Sequence, residues 1–114
     1  MYLEKRQNKY FAKSSIYNEI SYHSIKEAEY AQELDLRIKA KDIKSWERQV
    51  RIDIKVYDQH ICNYYIDFVV THNDKSLEYI EVKGFETETW RLKWKMFEAM
   101  FNHDHPDIVL TIVR

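Results

Sequence analysis

Two short apolar segments with charges set inside them constrain this chain more than any other feature. Tyr64–Thr71 and Leu77–Lys83 are rich in β-branched and aromatic residues, and the polar stretch His72–Ser76 separates them. Such runs read as strands, and the short polar link reads as a turn between antiparallel neighbours. Residues two apart on a strand share a face. Glu81 and Lys83 therefore project together, while Ile80 and Val82 point to the other side. Pairing across the turn brings Asp67 alongside them. Charges inside a sheet lose solvation and need compensation. A divalent cation offers it to Asp67 and Glu81, with the backbone carbonyl of Val82 as a further oxygen ligand. Magnesium suits such a set because it takes carboxylates, phosphate oxygens and waters. Lys83 then orients or deprotonates an attacking water, or stabilises a phosphorane-like transition state. The competing reading of the same residues is a salt bridge between Lys83 and Glu81 or Asp67.

The rest of the chain supplies elements to pack against these strands. Met1–Ser21 is polar and Tyr-rich and reads as an irregular arm, with at most a short strand at Ser15–Ile20. Ser24–Ala40 reads as a helix, with Ser24 as its cap and Glu27 at the capping-box position. Glu27, Ala31, Leu34 and Ile38 follow one helix face, which makes Glu27 an acid at the end of an apolar stripe. Ile43–Glu47 turns the corner. Val50, Ile52, Ile54 and Val56 alternate with Arg51, Asp53 and Lys55, the pattern of a half-exposed strand. Asp58–Asn63 reads as a loop. Thr87 to about Asn102 reads as a second helix, with Trp90, Trp94, Phe97 and Phe101 on one face. Ile108–Val113 is a last apolar strand. The order of helix, three strands, helix and strand predicts an α/β sandwich with a mixed central sheet.

Composition narrows the setting. The 114 residues predict one domain, 1–114, and a single Gly and a single Pro leave little room for irregular turns. Cys62, the single cysteine, has no partner within the chain, which fits a reducing compartment. No apolar run approaches the roughly 20 residues of a membrane span, and Met1–Lys13 has no apolar signal core. The expected location is the cytoplasm. The net charge of −1 does not advertise nucleic-acid binding. Two local patches run against it. Met1–Lys13 carries Lys5, Arg6, Lys9 and Lys13 against Glu4 alone, and Trp90–Met96 carries Arg91, Lys93 and Lys95 with no acid. Either patch can meet phosphates, and either can be ordinary solvated surface.

Several further residues bear on the chemistry. Glu27 can serve a metal or its water, or merely cap its helix. Gln49, just before an alternating strand, can hydrogen-bond a metal's water or a phosphate, or sit at a solvated strand end. Gly84 permits a sharp exit from its strand or close approach of a nucleic-acid backbone. Trp90 and Trp94 read as core anchors in preference to base-stacking platforms. His103 and His105, flanking Asp104 near Pro106, read as solvated loop.

The series Ser24-x-x-Glu27, Gln49, Asp67 and Glu81-Val82-Lys83, on these elements in this order, resembles the PD-(D/E)XK nuclease superfamily. Within it the chain most resembles small phage-encoded endonuclease- and resolvase-like proteins. The segments that carry the likeness are Ser24-Ile25-Lys26-Glu27-Ala28-Glu29-Tyr30, Tyr64-Tyr65-Ile66-Asp67-Phe68, Glu81-Val82-Lys83-Gly84 and Thr87 to Lys93. The nuclease that cuts transposon ends has a similar series. Ile66 stands where the superfamily's name places a proline, and Ile25 separates Lys26 from Ser24. The likeness spans Ser24–Arg114.

The resemblance implies a restriction-endonuclease-like fold and a magnesium-dependent deoxyribonuclease, with manganese as a substitute. It makes Asp67 and Glu81 metal ligands, Lys83 the catalytic lysine, Glu27 an acid that assists metal or water placement, and Gln49 the counterpart of a glutamine found in some members. Lys26, Arg91, Lys93 and Lys95 are the candidate DNA contacts. A Holliday-junction or branched-DNA resolvase, acting as a homodimer in phage recombination or replication within a bacterial host, is the leading expectation. The alternatives are a nicking or end-processing nuclease that works with a partner protein, and a non-catalytic nuclease-like module that binds DNA.

Overall fold

Ser24 and Thr87 each start a helix, and the two helices close the two faces of one sheet. The structure is a computed structural model that describes residues 15–18 and 20–114. The basic patch at Met1–Lys13 lies outside the described residues. In chain order the elements are β1 (Ser15–Tyr17), β2 (Ile20–Tyr22), α1 (Ile25–Lys39), β3 (Ser45–Val56), β4 (Gln59–Thr71), β5 (Leu77–Val82), α2 (Glu88–Asp104) and β6 (Val109–Val113). The four-stranded sheet runs β3-β4-β5-β6. The first three strands are antiparallel, and β6 returns parallel to β5 after the crossover through α2. This is an α/β fold with a mixed sheet, as the periodicity predicts.

Both caps form. The Ser24 hydroxyl accepts the Glu27 N–H at 3.1 Å, and the Thr87 hydroxyl accepts the Trp90 N–H at 3.0 Å. Each satisfies one of the backbone donors that a helix start leaves open. Thr87→Ala should lower stability by about 1 kcal/mol. A fall in the urea midpoint with an unchanged slope would report it.

Each helix buries its apolar stripe against its own face of the sheet. Ala28, Ala31 and Leu34 of α1 pack with Tyr22, Phe68, Val70, Ile80 and Val82. Trp90, Trp94, Phe97 and Phe101 of α2 pack with Ile52, Ile54, Tyr64, Ile66 and Val69. These two sets expose a break in the strand period. Trp46 on β3, and Phe68 and Val70 on β4, lie under α1. Val50, Ile52 and Ile54 on β3, and Tyr64 and Ile66 on β4, lie under α2. All are even-numbered, and a regular strand puts such residues on one face. The pleat therefore inverts between Arg48 and Val50 and between Ile66 and Phe68. The inversion falls at Gln49 and Asp67. Gln49 has φ 51, a left-handed conformation that costs a residue with a Cβ about 1–2 kcal/mol.

Three expectations need correction. The polar arm is in part a hairpin: β1 and β2 pair through Ser15↔Tyr22 and Tyr17↔Ile20, and Asn18 turns between them with φ 54. Tyr22 is fully buried, and the Tyr17 hydroxyl donates to Asp35 of α1, so the hairpin is tied to the helix. The expected single strand at Ser15–Ile20 is broken by that turn. Second, β3 begins at Ser45, within the predicted corner, because the inversion at Gln49 hides its first residues from a search for strict alternation. Third, the loop at Asp58–Asn63 is a tight turn at Tyr57–Asp58, both with positive φ, followed by paired strand from Gln59. Those residues are mostly exposed, so no apolar alternation marks them. Gly84 does not have positive φ, and among the described residues a Cβ there would meet nothing within 4 Å, so the strand exit does not need a glycine conformation and the space beside it is open. Among the described residues no helix is long and apolar enough to cross a membrane.

Candidate metal and nucleic-acid site

The pleat inversion, the end of β5 and the starts of both helices meet at one cleft of about 930 Å³. Glu27 reaches it from the first turn of α1, Gln49 from β3, Asp67 from β4, and Glu81, Val82 and Lys83 from the end of β5. The first turns of both helices open onto it through Ser24–Glu27 and Thr87–Trp90, so both positive helix ends face the same space.

Asp67 sits opposite Glu81 in the antiparallel register set by Phe68↔Ile80. Its carboxylate takes the place of a backbone partner: Oδ2 accepts the Val82 N–H at 2.8 Å. Oδ1 accepts the Gln49 side-chain amide at 3.3 Å. Val82 thus engages Asp67 through its N–H. Glu81 Oε2 accepts the Trp90 indole N–H at 3.0 Å, and that N–H is shared with the Tyr64 hydroxyl oxygen at 2.9 Å. Lys83 Nζ lies 3.7 Å from Glu81 Oε2 and 4.9 Å from the centre of the Trp90 ring.

Three carboxylates are buried here: Glu27 is 8 % exposed, Asp67 7 % and Glu81 3 %. Glu27 Oε1 and Glu81 Oε1 are buried with no hydrogen-bond partner among the described residues. Glu27 therefore does not spend that oxygen on closing the capping box. Burial, reinforced by the charge of Asp67, pushes the Glu27 carboxyl up to about 7, against the pull of Lys83 and Arg48. The same two causes push Glu81 up to about 8, with Lys83 and the Tyr64 hydroxyl opposing. Asp67 is raised by burial, and the Val82 N–H, Lys83 and Gln49 hold it back. Burial is the first cause in all three, and it holds each carboxyl toward its neutral form. As the side chains stand, no three His, Cys, Asp or Glu groups among the described residues form a ready-made metal cage.

The basic candidates divide. Lys26 and Lys93 line the cleft, and neither has an ion-pair partner among the described residues. Arg91 and Lys95 do not line it, and Arg91 reaches Glu86 at 3.5 Å, a carboxylate that Arg114 also holds. On a helix the residues flanking position 93 by two turn away from its face. Trp90 and Trp94 are both buried, in line with core anchors. Trp90 also reaches the site, which its place on an apolar stripe did not announce. Tyr64, Tyr65, Phe85 and His23 line the cleft as well and carried no signal in the sequence beyond their proximity to the motifs. His103 and His105 are exposed, and His103 bonds its neighbour Asp104.

No curated protein and no solved structure matches the chain. A family model described as "Protein of unknown function (DUF1064)" matches residues 7–114. That span takes in both helices, the whole sheet and every residue that lines the cleft, and the chain belongs to the DUF1064 family.

Proposed function

We propose that this protein is a metal-dependent endonuclease that hydrolyses phosphodiester bonds in DNA, on a sandwich of the restriction-endonuclease type. One observation carries the reading. Three buried carboxylates and a lysine share a cleft, and two of the carboxylate oxygens are buried without a hydrogen-bond partner among the described residues. Unsatisfied buried groups are rare and call for an explanation. Hard oxygen donors left unpaired in a buried cleft fit a hard divalent cation such as magnesium or manganese. Asp67 and Glu81 would hold it, with Glu27 and the Val82 carbonyl as further donors. Such a cation acidifies a water and neutralises charge that develops on a phosphate.

The chain's own groups then divide the work. Lys83 donates to a phosphate oxygen from beside Glu81, and the Trp90 ring beneath its ammonium limits where it can swing. Glu27, in the same cleft, can hydrogen-bond an attacking water and take the proton it gives up. Gln49 keeps Asp67 turned toward the cleft, and Trp90 does the same for Glu81. Lys26, Lys93 and the two positive helix ends draw the phosphodiester backbone in.

The test is cleavage of linear duplex, single-stranded DNA, a flap and a four-way junction with magnesium, manganese or EDTA. The expected result is cutting that requires metal. Cuts placed symmetrically on the junction alone would specify a resolvase and make dimerisation the next question. Cutting that survives EDTA would exclude the mechanism. No cutting by the pure protein, but cutting with an added phage replication or recombination protein, would select the partner-dependent form.

A further inference from the structure

The mouth of the cleft holds two aromatic side chains that the hydrolytic chemistry does not use. Tyr65 is 49 % exposed and Phe85 is 61 % exposed, and both line the cleft with Lys26, Lys83 and Lys93. Their positions follow from the fold. Tyr64 faces α2 and is buried, so Tyr65 points to the opposite face of β4. On that face Arg51, its partner on β3, is exposed too, so this part of the ribbon is uncovered. Tyr65 is two residues from Asp67, and Phe85 is two residues beyond Lys83. Flat apolar rings thus flank the carboxylates, with basic side chains on the walls between them.

Basic groups alone serve a duplex, whose backbone is charged and whose bases are stacked inside. Aromatic faces beside a phosphate path serve a strand whose bases have left the stack, because every base has a face to lay on a ring. We infer that the cleft binds DNA with at least one unstacked base next to the phosphate it holds: a gap, a flap, a branch point or a single strand. This rests on the nuclease reading above for its DNA substrate and adds the state of the bases.

Binding of the full-length protein to three fluorescent probes of one sequence tests it: a continuous duplex, the same duplex with a short single-stranded gap, and the single strand. Measured in EDTA and again with magnesium, the gapped and single-stranded probes should bind about ten-fold tighter than the duplex. A 2-aminopurine placed in the gap should lose fluorescence on binding. Tyr65→Leu combined with Phe85→Leu should bring the three affinities together and restore the fluorescence, whereas Tyr65→Phe should keep the preference. Lys93→Ala should weaken all three probes alike. Equal affinity for gapped and continuous DNA, or no binding to any probe, overturns the inference. Cleavage of the same probes separates the two ideas. Metal-dependent cutting without a gap preference removes only this inference. A gap preference without any cutting, by the pure protein or with the added replication or recombination protein, supports it and removes the nuclease reading.

Discussion

Lys83→Ala, Asp67→Asn and Glu81→Ala should each lower metal-dependent DNA cleavage by about a thousand-fold or more, the size expected when a group that stabilises transition-state charge is removed. The expectation is specific because the three substitutions act on different parts of one assembly. Asp67→Asn keeps an oxygen able to accept the Val82 N–H, so the end of β5 stays in place while one negative charge is lost. Lys83→Ala removes the ammonium and its contacts with Glu81 and the Trp90 ring but takes no side chain out of the core. Groups that act as a unit give non-additive losses, so the double variant should fall little below either single one. Glu98→Gln, on the exposed side of α2, changes charge by the same amount as Asp67→Asn and should leave the rate alone. Full activity in Lys83→Ala would dismiss the assigned chemistry. Residual activity that no substitution alters would identify a contaminant.

The second large effect is on stability. Unfolded Asp and Glu side chains titrate near 3.9 and 4.3, whereas Glu27 and Glu81 are pushed up to about 7 and about 8, and Asp67 is also raised. The folded state therefore holds more protons than the unfolded state between about pH 4 and pH 8. Stability contributed by these groups is complete below the unfolded values. It is lost as the pH rises through the folded ones. In EDTA the protein should be most stable at mildly acidic pH and lose several kcal/mol by about pH 9. Glu81→Gln should flatten the profile and raise the melting temperature at high pH, by removing a charge that burial disfavours. Magnesium should stabilise the wild type more at about pH 8.5 than at about pH 6, because an ion that binds the folded state adds stability and competes with the protons. Melting curves across pH, with and without magnesium, read all three effects. A profile that rises toward pH 9 in EDTA would contradict the crowded, buried acids. The surface carboxylates Asp53, Asp74 and Glu86, held below their usual range by hydrogen bonds, act in the opposite sense and only at more acidic pH.

What was legible in the chain was legible for local reasons. The helices announced themselves because Ser24 and Thr87 are caps and their apolar residues recur at helical spacing. The pairing of Asp67 with Glu81 followed from two apolar runs joined by a short polar turn, since antiparallel register leaves little freedom once the turn is placed. The beginning of β3 and the outer half of β4 were not legible. The start of β3 is hidden by the change of face at Gln49, and the outer half of β4 faces solvent on both sides, so burial stamps no period on it. The hairpin at Ser15–Tyr22 escaped because its tie to the fold is a buried Tyr22 and a hydroxyl contact with Asp35, far along the chain.

By itself the sequence determined an α/β chain, its two capped helices, and an acid pair with a lysine at the end of one strand. Its basic residues near the second helix were equivalent as letters. Only the tertiary structure decided that Lys93 faces the cleft while Arg91 turns to Glu86. It alone brought Trp90 from an apolar stripe to Glu81, and inverted the pleat at Gln49 so that its amide meets Asp67. The physical reason is common to all three. Periodicity reports which side of an element is buried, but where two buried faces meet depends on how strands bend and helices cross. There, burial and proximity set the charges of Glu27, Asp67 and Glu81 against one another.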